Sequence, residues 1–87
     1  MARLDISGDT AFAGTAPSAE VFFDLGIAYA TGREVEPDLI EAHKWFNLAA
    51  INGYSEAASH RQEIAREMTN VAIAEAQRAA REWLRRH

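Results

Sequence analysis

The chain contains no cysteine, and only two prolines and five glycines among its 87 residues. Without Cys there is no disulfide framework, no Cys-based zinc site and no thiol nucleophile, so a domain this small must be held by good packing or by a partner. At this length folding buries only about 60% of the surface that the unfolded chain exposes, which leaves no room for a second core. No apolar run nears the roughly 18 residues of a membrane span. Met1 to Ala16 has neither the basic n-region nor the apolar h-region of a secretory leader. The expectation is one cytoplasmic domain with no membrane role. There is also no glycine-rich phosphate cradle, no Gly-x-Ser-x-Gly elbow and no His pair four residues apart on a helix. His43, His60 and His87 are scattered, and His60 with Glu56 and Glu63 reads as a surface salt-bridging group rather than a metal set. No catalytic residue, metal or cofactor is expected, and the chain is not read as an enzyme.

Hydrophobic residues make up 48% of the chain and charged residues 25%, the proportions of an ordinary globular protein. The net charge of −4 is unevenly placed. Asp5, Asp9, Glu20, Asp24, Glu34, Glu36, Asp38 and Glu41 face only Arg3 and Arg33, whereas Arg61, Arg66, Arg78, Arg81, Arg85 and Arg86 dominate from His60 onward. Such polarity either reflects two solvated ends or steers a partner and stacks copies head to tail. Nucleic acid is not an expected partner. Glu75 and Glu82 interrupt the arginine cluster, no aromatic platform accompanies it, and Arg near a helix C-terminus complements the dipole there. For a membrane surface, Trp83 and Leu84 are the only large anchors on the last helix.

Residues 1–16 carry Leu4, Ile6 and Phe12 at no helical period and read as a flexible tail, leaving 17–87 as the domain. Pro17 and Ser18 open a first helix that runs to about Thr31 and stops at Gly32. After an acidic loop, Asp38 and Glu41 have the form of a capping box for a second helix, Leu39 to about Asn52. Gly53 ends it. Ser55 is the expected cap of a third helix reaching about Met68, and Thr69 that of a fourth reaching almost to His87. Short connections and the lack of β-branched alternation predict an all-α fold of antiparallel helix pairs. The expected core faces are Val21, Phe22, Leu25, Ala28 and Tyr29 on the first helix, with Gly26 at the edge, and Leu39, Ala42, Trp45, Phe46, Ala49 and Ala50 on the second. The third contributes Ala57, Ala58, Ile64, Ala65 and Met68, and the fourth Ile73, Ala76, Ala80, Trp83 and Leu84.

Ala42-His43-Lys44-Trp45-Phe46 is echoed by Ala80-Arg81-Glu82-Trp83-Leu84 about 38 residues later, a period suited to stacked helix pairs. The stretch Ala19-Glu20-Val21-Phe22-Phe23-Asp24-Leu25-Gly26-Ile27-Ala28-Tyr29, followed by Gly32, Val35, Asp38, Glu41-Ala42, Trp45, Ala49-Ala50 and Gly53, resembles the Sel-one-like repeat. That repeat is the bacterial and eukaryotic relative of the tetratricopeptide repeat. The match covers one clear repeat, and the second is degenerate.

The resemblance implies a short tetratricopeptide-like α-solenoid of about four helices, acting as an adaptor that binds a peptide or helix of another protein. In that arrangement the residues opposite the first helix's core arc line the binding surface. They are Glu20, Phe23, Ile27 and Thr31 with Asp24 beside them, so that Phe23 and Ile27 form an apolar strip bordered by carboxylates. The competing role for the strip is extra core. A second strip, Leu48 and Ile51 beside Lys44, lies away from the second helix's core arc and suits self-association. The alternative expectation is a structural subunit that homo-oligomerises there or through its open repeat end.

Overall fold

The computed structural model describes residues 18–87. The expected tail and Pro17 lie outside them. Four helices follow one another: α1 (Ala19–Thr31), α2 (Leu39–Ile51), α3 (Glu56–Ala65) and α4 (Asn70–Arg86). With no strand among the described residues, the fold is all-α.

Local chemistry sets most of the boundaries. Ser18 accepts the Val21 N–H at 3.3 Å and Thr69 accepts the Ala72 N–H at 3.0 Å, each from an extended backbone, which relieves an unpaired donor at the helix start. Gly32 closes α1 in the left-handed region (φ 79°), with its N–H on the Ala28 carbonyl at 2.8 Å. A side chain there would also meet Pro37, whose Cγ lies 2.8 Å from the position of a Cβ. The Asp38 N–H then donates to the Tyr29 carbonyl at 2.9 Å, which ties the start of α2 to the end of α1.

Two expected caps take a different form. Asp38 caps α2 through the Ile40 and Glu41 N–H groups, but the Glu41 carboxylate does not return to Asp38. It accepts the Trp45 indole N–H at 3.0 Å and pairs with Lys44 at 3.0 Å, so the capping box is half formed. Ser55 makes no side-chain cap: its backbone is already helical, and the Tyr54 N–H on the Ala49 carbonyl closes the turn. The third helix ends at Ala65 rather than Met68, because Arg66, Glu67 and Met68 continue as tight turns bonded three residues back.

Helix α2 is the axis of the molecule and packs against α1, α3 and α4. The core consists of Phe22, Ala42, Phe46, Leu48, Ala49, Ala57 and Ala80, with Ala76 also buried. Its centre is the α1/α2 crossing. Gly26 is buried in the contact, and a Cβ there would stand 2.5 Å from Phe46 Cδ1 and Cε1. The Phe46 ring fills the space that the glycine leaves.

Aromatic clusters flank this crossing on both sides. Phe22, Trp45 and Trp83 join α1, α2 and α4, with ring centroids 5.1 to 6.0 Å apart. Phe23, Phe46, Tyr54 and His60 join α1, α2 and α3, at 4.5 to 5.6 Å. Neighbouring residues on a helix diverge by about 100°, so Phe22 and Phe23 are each committed to a different cluster.

Candidate functional site

The strip expected to bind a partner is turned inward. Phe23 stacks edge-on against Tyr54 and His60 and tilts over Phe46, while Ile27 packs against the same core. Both are half-buried. The physical reason is the position of α3, whose His60, with the preceding Tyr54, covers Phe23 on this flank of α1. Thr31 is exposed, but its hydroxyl donates to the Ile27 carbonyl at 2.8 Å.

The opposite flank of α1 lies outside the core cluster. Val21 is 39% exposed, and Leu25 and Ala28 are half-buried outside the core cluster, although their spacing predicts all three inside. At about 100° per residue they form one stripe, and Glu20 and Asp24 form the ridge beside it. Both carboxylates are exposed, and neither forms an ion pair among the described residues. On the other side of the ridge stands Tyr54, whose phenol is pushed up by burial first and then by the charges of Glu56, Glu20 and Asp24. Acidic groups from α1 and α3 thus converge on one surface beside an apolar stripe.

The expected self-association strip is also divided. Ile51 is 58% exposed, but Leu48 is wholly buried and unavailable to a second copy. Lys44, one turn before Leu48, borders a groove formed with α4, so Leu48 lies on the stripe of α2 that α4 covers. Lys44 itself is held by Glu41 and sits 4.3 Å from the centre of the Trp45 ring. The groove has a volume of about 340 Å³ and is lined by Lys44, Ala79, Glu82, Trp83, Arg86 and His87. Its charges already satisfy one another. Glu82 takes Arg85 at 2.6 Å and Arg86 at 3.1 Å, and these hydrogen bonds hold its carboxyl below the usual carboxylate range. The His87 ring lies on Trp83, with Nδ1 against the Trp83 carbonyl oxygen at 2.9 Å.

His43 has a role that its spacing did not reveal. It is 3% exposed, and its Nδ1 has no hydrogen-bond partner among the described residues. Arg61 reaches across from α3 to Asn47, one turn beyond His43, donating from Nη1 to Oδ1 at 2.6 Å. Burial, and then the Arg61 charge, hold the His43 imidazole below its ordinary 6.5, which favours the neutral ring in the fold. The unfolded chain takes up this proton as pH falls past 6.5, whereas the folded chain resists until a lower pH. Stability is therefore lost on acidification below 6.5 and levels off once the folded pKa is passed. The urea midpoint of the native chain is expected to drop between about pH 7.5 and pH 5 by more than that of His43→Leu. Parallel pH profiles for the two proteins would remove His43 from this role.

Compared with known proteins, the chain matches no family model, no curated protein and no solved structure. No described helix is long and apolar enough to cross a membrane. On the outer side of α1 the exposed carboxylates Glu20 and Asp24 stand beside Val21, Leu25 and Ala28.

Proposed function

We propose that the chain is a non-enzymatic protein-interaction module of Sel-one-like, tetratricopeptide-like type, acting in the cytoplasm as an adaptor for a basic amphipathic helix. The observation that carries this reading is the pairing on α1 of an apolar stripe outside the core cluster, the exposed Val21 with the half-buried Leu25 and Ala28, with the exposed carboxylates Glu20 and Asp24. An apolar stripe gives area to bury, and adjacent free carboxylates select arginine or lysine at the border of the docked helix. The Phe46 ring seated on Gly26 supports the repeat-like reading, since it gives the glycine of the Leu-Gly-x-x-Tyr pattern a packing reason. The helix is also preformed, so docking does not have to order it first.

The test uses two synthetic amphipathic helices with the same leucine stripe, one bordered by Arg and one by Glu, titrated by fluorescence anisotropy. The basic peptide is expected to bind and to weaken as salt is raised, and the acidic one to bind at least about tenfold less tightly. Val21→Asp with Leu25→Asp is expected to abolish binding of the basic peptide while leaving helicity unchanged. Equal affinity for both peptides, or full binding by that variant, overturns the proposal.

A further inference from the structure

The partner chemistry that this surface selects is present elsewhere on the same molecule. Helix α4 has 17 residues, about 25 Å, against 13 and about 20 Å for α1, so the whole α1 ridge can be spanned by one α4. Its inner side is Ala76 and Ala80, buried against α2. On its outer side Arg78, Arg81 and Arg85 fall within an arc of about 60°. The same arc contains Ala74 and is bordered by Gln77 and Leu84 on one side and by Val71 on the other, with Glu75 and Glu82 beyond Val71. Ala74 and Gln77 are exposed, as are the two large apolar neighbours, Val71 at 77% and Leu84 at 43%. Arg85 is engaged by Glu82, but Arg78 and Arg81 form no ion pair among the described residues.

Set side by side, the two surfaces are complementary. One offers two carboxylates four residues apart, unpaired among the described residues, next to Val21 and Leu25. The other offers two guanidinium groups three residues apart, unpaired among the described residues, beside Ala74, whose small side chain lets a second helix approach closely, with Val71 and Leu84 at the edges to meet an apolar stripe. Within one chain they cannot meet, because both helices pack on α2 and turn these sides away from it.

Resting on the reading of α1 as the recognition surface, we infer that its partner is α4 of a second copy of this chain, with Arg78 and Arg81 meeting Glu20 and Asp24 of the neighbour. Donor and acceptor surfaces belong to different helices, so the contact is heterologous and passes from copy to copy until a ring closes or a filament forms. Assembly of this kind strengthens with concentration and weakens with salt.

Charge exchange tests the pairing. One variant carries Glu20→Arg and Asp24→Arg, the other Arg78→Glu and Arg81→Glu; all four positions are exposed, so both chains are expected to keep native helicity. In sedimentation equilibrium at low salt the native chain is expected to rise above the monomer mass with concentration. Each variant alone is expected to associate at least about tenfold more weakly, because its two surfaces now repel. An equimolar mixture of the two is expected to recover association, since each again finds opposite charge on the other. A native chain that stays monomeric to about millimolar concentration while still binding the basic peptide overturns the self-pairing and leaves the recognition surface standing. Variants that do not recover on mixing, or association lost through Ile51→Asp but not through charge exchange, also overturn it.

Discussion

Gly26→Leu is expected to leave the chain largely unfolded, and Gly26→Ala to lower its stability by a smaller, measurable amount. A Cβ at this position stands 2.5 Å from two carbons of the Phe46 ring, well inside contact distance. The ring cannot swing aside cheaply, because it is 1% exposed and bounded by Phe23 at 5.6 Å and His60 at 5.4 Å. Forcing an extra methyl into a packed core costs about 1–3 kcal/mol, of which up to about 1 kcal/mol is offset by the better helix propensity of alanine. Leucine adds three more carbons in the same place. A chain this short has a total stability of only about 4–13 kcal/mol, so the larger substitution consumes much of it. Urea titrations followed by far-UV circular dichroism give the ranking. Combining Gly26→Ala with Phe46→Leu is expected to destabilise less than the sum of the two, a coupling of about 0.5–3 kcal/mol that reports direct contact. A native midpoint for Gly26→Leu contradicts the packing.

The elements that were legible in the sequence are those written in local chemistry. Ser18, Asp38 and Thr69 cap because a short polar side chain at an extended position reaches an N–H two or three residues on, and Gly32 ends α1 because the chain turns left-handed there. Ser55 has the same residue type in the wrong backbone. The turn through Asn52 and Gly53 delivers it at φ −64° and ψ −30°, already helical, and none of the residues around it signals that. Glu41 was drawn from its capping partner by Trp45 and Lys44, both of which lie on its own helix at three and four residues' distance.

The phase of α1 was the less legible part. Val21, Phe22, Phe23, Leu25, Ile27, Ala28, Tyr29 and Ala30 are all apolar, so the helix has a wide apolar belt and only Glu20, Asp24 and Thr31 to mark the outside. The belt fixes which side faces water, but which of its two flanks is covered depends on where α3 lies, a long-range outcome that periodicity does not encode. Leu48 did have a signal. Buried residues recur around most of α2, with Leu48 opposite Phe46, and a helix apolar on nearly every side is one surrounded by others. His43 had none, since an imidazole one residue from a lysine reads as surface until α3 and α4 close over α2.

Phe23→Ala with Ile27→Ala is the substitution that separates the two accounts of α1. If these residues formed an exposed strip, helicity would survive their removal and only partner binding would be lost. The structure instead commits Phe23 to three aromatic contacts and Ile27 to the core, so the pair is expected to destabilise the fold by about 4 kcal/mol or more. Because the two lie one turn apart and share neighbours, their individual effects are not expected to add. Val21→Ala with Leu25→Ala, which removes less apolar volume and takes it from the flank outside the core cluster, is expected to change stability by no more than about 1 kcal/mol. The same change should weaken the basic peptide at least about tenfold. The two variants therefore predict opposite patterns in paired measurements of urea midpoint and peptide affinity. Were Phe23→Ala/Ile27→Ala to keep its midpoint and lose the peptide, the two flanks would have to be exchanged. The acidic ridge between them would keep its place, because Glu20 and Asp24 point away from the Gly26 crossing in either case.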